Sequence, residues 1–288
     1  MKFIIGFVVV VACVLGGYVL ADGHLEVLWQ PLEFLIIFGA GIGAFIISNP
    51  GSVIKAVLGS LGKLIKGAKY GQDSYLELLS VLYTLFKLAK SKGDLALESH
   101  IENPEESTIF NQYPNFASDH HALEFMCDYL RMLTLGTSNS FEIENIMDVE
   151  LENHHHADHQ VHSAMNALAD GLPALGIVAA VLGIIHTMGS ITEPPEILGH
   201  LIGAALVGTF SGILFSYGFV GPMAASLGAT MEEEANIFVC IKAGILAHMQ
   251  GYAPQVSVEF ARKAVPGHLR PSFKDLEESL QGASAPPE

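Results

Sequence analysis

Residues 172–222 read LPALGIVAAVLGIIHTMG, then SITEPPEIL, then GHLIGAALVGTFSGILFSYGFVGP, and this stretch decides the fold. Each apolar run is about 20 residues long, enough to cross a hydrocarbon core ~30 Å thick at ~1.5 Å per residue. Together they form a membrane helical hairpin. Small residues recur at four-residue spacing: Gly176 with Ala180, Ala179 with Gly183, and Ala204 with Gly208 and Gly212. That spacing lines one helix face with small side chains, where another helix can approach closely. Polar residues in the hairpin are few: Thr187, Thr209, Ser211, Ser216 and His186. Pro173 is expected to open the first helix and Pro222 to close the second.

Working outward, the composition fits. Of 288 residues, 50% are hydrophobic and only 15% charged, against ~25% charged in ordinary soluble domains. An all-α, polytopic membrane protein is expected, with spans at about 3–20, 31–49, 172–189 and 200–221. The implied division is two membrane helices in 1–49, a helical domain over 50–169, the hairpin in 170–222, and a helix and tail over 223–288. At the N-terminus, Val11-Ala12-Cys13 loosely resembles a lipoprotein cleavage site, but the apolar run continues to Leu20, so an uncleaved helix is expected. All 14 Lys and Arg lie outside the linkers 21–30 and 190–199. The positive-inside rule then puts both termini and the long loop in the cytoplasm. A net charge of −16 argues against nucleic acid, which needs clustered cations. Cys13, Cys127 and Cys240 have no metal or disulfide spacing.

The second span holds Gly39, Gly41 and Gly43, with Gly39 and Gly43 forming a GxxxG packing motif. Glu33 stands at its outer edge, where a carboxylate stays hydrated, and reads as an interface residue rather than an ion relay. After Asn49-Pro50-Gly51 comes a basic amphipathic helix. Its stripe is Val53, Val57, Leu61, Leu64 and Ile65, with Lys55, Lys63, Lys66 and Lys69 elsewhere, suited to the inner membrane surface and its lipids. Helices follow over YLELLSVLYTLFKLAKSKG, ending at Gly93, over about 95–102, and over HALEFMCDYLRMLTLG. From Ser140, a cap residue by type, a polar stalk runs toward Pro173. After Pro222 a helix continues to Gly251; the stretch 251–273 reads as loop, and SLQGASAPPE as disordered.

No P-loop, nucleophile elbow or HExxH is present, and no enzyme is expected. His154, His155, His156, Asp158, His159 and His162 could place imidazoles at i, i+4 for zinc. In a polar, redundant run the reading is a solvated helix surface, with no metal. Past the edge where Glu33 stands, the four spans contain no Asp, Glu, Lys or Arg. A proton conductor needs an ionisable carrier. Either the chain does not conduct, or a partner helix packed on the small-residue faces brings the carrier. In the second case Thr209, near mid-depth beside Ala180, can hydrogen-bond that carrier or a water. Equally, its hydroxyl can bond back to its own helix. Pro173 and Pro222 are either ordinary helix ends or a paired hinge.

Several strings then fall into place together: QPLEFLIIFGAGIGAFI, LESHIENPEES, FNQYPNFASD, CDYLRMLTLG, NSFEIENIMDVE, LPALGIVAAVLGIIH, LVGTFSGILFSYGF, and GYAPQVSVEFARK with RPSF. In this order, over nearly the whole chain, they resemble the flagellar-motor stator family MotA, of the proton-driven type. The resemblance implies four membrane helices in the bacterial inner membrane and a homopentamer around a dimer of the partner MotB. The partner's membrane aspartate carries the proton, and no cofactor is implied beyond protons as coupling ion. It implies rotor-facing charges at Lys90 and Glu98, with Glu150 as a further candidate, acting on the rotor protein FliG. Well-studied members carry arginine at the Lys90 position; lysine keeps the charge and loses the planar fork. Pro173 and Pro222 match the family's coupling prolines, and Thr209 its pore-lining threonine. Sodium-driven relatives have threonines where this chain has Ala180 and Gly208, which favours protons. The alternatives are a stator of the ExbB/TolQ kind that energises outer-membrane transport, and a membrane scaffold without ion flux.

Overall fold

In the computed structural model, residues 2–137 and 139–282 are described, and every element among them is helical. In chain order these are α1 (Lys2–Leu20), α2 (Leu25–Leu28), α3 (Pro31–Ser48), α4 (Gly51–Ser60), α5 (Lys63–Lys66), α6 (Gln72–Lys92) and α7 (Glu98–Ile101). Then come α8 (Pro114–Ala117), α9 (His120–Thr134), α10 (Ser140–Met188), α11 (Pro195–Phe215), α12 (Gly221–Met249), α13 (Pro254–Ala264) and α14 (Phe273–Gly282). A π-helical segment, Ser216–Val220, joins α11 to α12. Four helical stretches are long and apolar enough to cross a membrane: Lys2–Leu20, Leu25–Ser48, Ser140–Met188 and Pro195–Met249.

The prolines differ from expectation. Pro173 lies inside α10 and Pro222 in the first turn of α12, directly after the π segment, so the helical path runs on through both. A proline deep in a helix loses one hydrogen bond and crowds the carbonyl four residues back. Ahead of Pro222 the wider π turn gives that carbonyl room, and the helix goes on.

Two compact units form. The first joins residues up to Gly67 with Ala157–Met231; the second joins Ala68–His156 with residues from Glu232 onward. Residues 50–67 and 157–169 therefore pack with the apolar helices rather than with the rest of the long loop.

In the first unit, α3 packs on the hairpin through buried Ile37, against Leu172 and Ala179. Phe38 meets Phe215 edge-on, with ring centres 4.7 Å apart. The expected GxxxG contact is not made within this chain. A Cβ on Gly43 would meet nothing within 4 Å and one on Gly39 only Leu35, whereas Gly41 faces Leu168, Leu172 and Leu175 at 3.4–3.6 Å. One residue separates the two faces, because neighbouring positions on a helix point ~100° apart. Val53, Val57 and Leu64 are buried with Val161, Ala164 and Leu227. Ile65 leaves the expected stripe and is exposed, because the helix breaks between α4 and α5. Helix α1 buries no residue; Phe7 meets Phe219 with ring centres 4.8 Å apart, and exposed side chains such as Ile5, Val8 and Val9 face outward, toward hydrocarbon or other chains.

The second unit has one apolar core. Tyr75, Leu78, Leu82 and Phe86 of α6 meet Met126 and Leu130 of α9, Ile241 and Ile245 of α12, and Val258 and Ala261 of α13. Gly93 (φ 87°) and Gly136 (φ 91°) follow α6 and α9 in the left-handed conformation that suits glycine after a helix. The cap of α10 is Asn139 rather than Ser140: its Oδ1 accepts from the Phe141 amide at 3.1 Å. Residues 254–264, expected as loop, form α13. Pro254 stands at its first turn, where a missing N–H costs nothing. Buried Arg262 anchors it, donating to Glu259 at 2.6 and 2.7 Å and to the Pro271 carbonyl at 2.8 Å. That pairing holds the Glu259 carboxyl below its ordinary range. Residues 279–282, expected to be disordered, belong to α14, where Ser279 meets Ser80 at 2.8 Å. Residues 283–288 of that stretch lie outside the described residues.

The histidine run is largely exposed, as expected, with packing contacts at His154 and His162. His154 stacks on Phe238 with centres 5.1 Å apart. His162 hydrogen-bonds Asn166 at 3.2 Å and fills the space over Gly228, where a Cβ would stand 2.7 Å from the ring.

Asp119 caps α9 and is almost wholly buried. It accepts from the Tyr70 hydroxyl and pairs with Lys69 Nζ at 2.9 Å. Asp119→Ala leaves the phenol and the cap amide without that acceptor, and is expected to cost about 2 kcal/mol. Thermal melting of the detergent-solubilised protein reads this as a fall of several degrees; an unchanged melting point would remove Asp119 from the anchors of this unit.

Candidate functional site

Helices α10 and α11 touch backbone to backbone. A Cβ on Gly212 would lie 2.6 Å from the Leu172 carbonyl oxygen and 2.9 Å from Gly176 Cα. On Gly176 it would lie 2.8 Å from the Gly208 carbonyl oxygen, and on Gly183 2.8 Å from Ala205 Cβ. The contact row on α11 is therefore 205, 208 and 212, not the expected 204, 208 and 212. Seven residues return to within ~20° of the same face of a helix, whereas eight overshoot by ~80°.

Ala180 is buried, and its backbone nitrogen stands 3.2 Å from the place of a Cβ on Gly208. Thr209 follows Gly208 and is half-buried. Among the described residues its hydroxyl has no hydrogen bond, whereas Thr187 on α10 bonds back to the Gly183 carbonyl at 2.9 Å. Of the two readings open for Thr209, the back-bonded one is not what the structure holds.

Glu33 is misplaced by its sequence position. Although third in α3, its carboxylate reaches the hairpin crossing. Oε2 lies 3.1 Å from the Cβ position of Gly208, and Oε1 3.4 Å from that of Gly183. Oε2 is buried and has no hydrogen-bond partner. This contact depends on the level at which α3 enters beside α11, which periodicity does not report.

The turn that precedes Pro173 adjoins the residue that precedes Pro222. Pro173 deprives the Ala169 carbonyl of its helical donor. Ala169 Cβ is 4.0 Å from the Cβ position of Gly221, the residue before Pro222. In the adjoining π segment the Ser216 hydroxyl is buried without a partner.

In the second unit, Lys90 sits exposed in the last turn of α6, and Glu98 exposed at the start of α7. Glu150 is half-buried and accepts from the Tyr129 hydroxyl at 2.6 Å, so it is already engaged within the chain. Lys90 lines a cavity of about 440 Å³ together with Asp94, Thr137 and His248. His248 stacks on Phe86 at 4.6 Å and has Nε2 3.5 Å from Asp94, while its Nδ1 is buried without a partner. Burial lowers its affinity for a proton; Asp94 opposes this in part and Lys90 adds to it. Nothing in the sequence marked His248 beyond a lone imidazole in the apolar run IKAGILAHM. Cys127 and Cys240 are buried, and burial pushes each thiol up to about 12, leaving them unreactive.

Comparison with known proteins agrees with this architecture. Residues 4–93 match the model of the Motility protein A N-terminal family, and residues 118–239 that of the MotA/TolQ/ExbB proton channel family. The chain is 43% identical over 286 residues to Motility protein A of Salmonella typhimurium, covering 99% of this chain and 97% of that one. It is 35% identical to the chemotaxis protein LafT of Vibrio parahaemolyticus, covering 97% and 98%. Among solved structures, the flagellar MotAB stator complex from Bacillus subtilis is similar with a TM-score of 0.73 at 26% identity, covering 96% of this chain and 98% of that one. A C. jejuni MotAB structure shares the fold with a TM-score of 0.78.

Gly212→Ala must push backbone against backbone, because neither Leu172 O nor Gly176 Cα can swing aside. A loss of about 1–3 kcal/mol is expected, seen as reduced membrane accumulation and a lower melting temperature; an unaffected variant would mean the helices slide apart freely. For His248, the lowered folded pKa lies under the ordinary 6.5. The protonated ring is thus favoured in the unfolded chain. Stability is full above ~6.5 and falls as pH drops from there through the folded value. Melting temperature should decline with acidification in that window, and His248→Phe should flatten the decline; parallel curves would rule the histidine out.

Proposed function

The chain belongs to the Motility protein A family, whose members are stator subunits of the flagellar motor, and we propose that it turns proton flow into torque together with a MotB-type partner. It is a multi-pass membrane protein, placed on this reading in the inner membrane with both termini and the long loop in the cytoplasm. The supply of cations fits, since the linkers 21–30 and 190–199 carry no Lys or Arg.

One observation carries the mechanism: the glycine crossing of α10 and α11 leaves the Thr209 hydroxyl unpaired in the membrane layer. An unpaired hydroxyl away from bulk water seeks an acceptor or donor. A partner helix carrying an aspartate supplies one. Protons entering from outside neutralise that aspartate, change its packing against a ring of five such chains, and step the ring. At a motive force of ~150 mV each proton delivers about 3.5 kcal/mol, which bounds the work per step. Pro173 and Pro222 act as the coupling hinge; both interrupt helical hydrogen bonding, and their surroundings adjoin at Ala169 and Gly221. Lys90 and Glu98, both exposed, push on the charged face of the rotor protein FliG. Glu150, held by Tyr129, acts through the position of α10 rather than by direct contact.

The reading of protons rather than sodium draws support from the packing at residue 208. A threonine at 208 would bring its Cβ to 3.1 Å from both Ala179 Cβ and Glu33 Oε2. A side chain bringing a sodium-coordinating hydroxyl to this position would require its neighbours to give by a few tenths of an ångström.

The test is complementation of a strain lacking its own stators, supplied with this chain and its native partner. Swimming is expected to return, to persist in sodium-free medium and to stop with a protonophore. Thr209→Val, which keeps the shape and removes the hydroxyl, and Pro173→Ala should slow it while membrane levels hold. Motility dependent on sodium would replace the proton reading; Thr209→Val swimming at full speed would free the threonine from its role.

A further inference from the structure

Glu33 has more to do than hold an interface. Measured along α11, Gly208 lies 13 residues beyond Pro195, about 20 Å of helix. The Glu33 carboxylate lies against Gly208 and Gly183, so it sits at the level of the hairpin crossing and not at the watery end of its helix. A glutamate in the first turn usually faces the free amides of its own helix. Here neither oxygen has a hydrogen bond among the described residues, and Oε2 is sealed from solvent. The elements packed around α3 carry other titratable groups: His24 and Glu26 at α2, His186 on α10, and Glu196 and His200 on α11. No hydrogen bond or ion pair joins any of them to Glu33 among the described residues. With one oxygen sealed and neither paired, this carboxylate is costlier as an anion than a hydrated one, and a proton on it relieves that cost. An apolar side chain of similar size would pack here without that cost. The residue that follows Gly208 is Thr209, whose hydroxyl is also unpaired.

We propose that Glu33 is a proton-binding relay on this chain, upstream of the carboxylate that the partner brings to Thr209. This rests on the stator reading above. Hydronium arriving from outside gives its proton to the Glu33 carboxylate, leaving water and a neutral carboxylic acid. The acid then passes the same proton to the partner's ionised carboxylate, directly or through one water, and returns to its anion. Each cycle moves one proton and leaves Glu33 unchanged.

The experiment uses the full complex, with the partner's plug removed, and reads the acidification of cells per complex in the membrane. It also reads motor speed near zero load and torque at stall. Glu33→Gln keeps the shape and cannot take up a proton. It should lower both the leak and the low-load speed by about tenfold or more, leave stall torque near wild type, and be rescued in part by Glu33→Asp. Stall torque separates a conduction step from a structural one, because at stall the ring has time to wait for its proton. A Glu33→Gln complex that leaks at the wild-type rate overturns the relay. If Glu33→Gln does not accumulate, Glu33→Asp is compared with wild type over external pH. A shifted midpoint of the leak supports the relay, and superimposable curves overturn it. A wild-type complex that neither leaks nor swims overturns the stator reading itself, a result distinguishable from failure of Glu33 alone.

Discussion

The backbone contact between α10 and α11 is the constraint from which the membrane layer follows. With Gly176 and Gly212 in direct backbone contact, no side chain can intervene, and the relative height of the two helices is fixed within a fraction of a turn. That height sets where Thr209 stands, how closely Gly208 approaches Ala180, and how far the Glu33 carboxylate must reach. In lipid there is no hydrophobic force to draw the helices together, so close van der Waals fit has to do it. Polar groups near the crossing can then stay unpaired, as Ser216, Thr209 and Glu33 do, because packing alone holds the helices.

The prolines obey a different economy. Each removes a helical hydrogen bond, yet α10 runs from Ser140 to Met188 and α12 starts only after a π turn. The weakened points are thus embedded in continuous helices, where a change of angle costs little but unfolding costs much. Their nearness at Ala169 and Gly221 means that bending one alters the surroundings of the other.

Much of this was legible in the chain. Apolar runs of membrane length identify the four spans because hydrocarbon tolerates no unpaired backbone. Gly93 and Gly136 end their helices where a left-handed residue is needed. What could not be read has physical reasons. Pro173 and Pro222 looked like helix ends, since a local rule cannot see a π turn that accommodates the ring. Residues 254–264 looked like loop from Gly251, Pro254 and Pro266, although Pro254 is well placed to begin a helix and Val258, Ala261 and Arg262 share its buried side. The choice of Gly41 over Gly39 and Gly43, and of Ala205 over Ala204, turns on which face meets which neighbour. The depth of Glu33 and the burial of His248 arise only once distant segments pack.

The crowding at Gly208 also bears on how such a chain could change by mutation. A side chain at 208 meets Ala179, Glu33 and the backbone nitrogen of Ala180 at once. No single substitution there is accommodated by moving a flexible neighbour, since two of the three contacts are short and stiff. A lineage that gained a hydroxyl at this position would first have to shrink residue 179 or withdraw the carboxylate at 33. The order of steps is therefore dictated by sterics, and the intermediate is a chain with a looser crossing. Residue 208 is thus guarded less by the affinity of any one group than by the stiffness of what surrounds it.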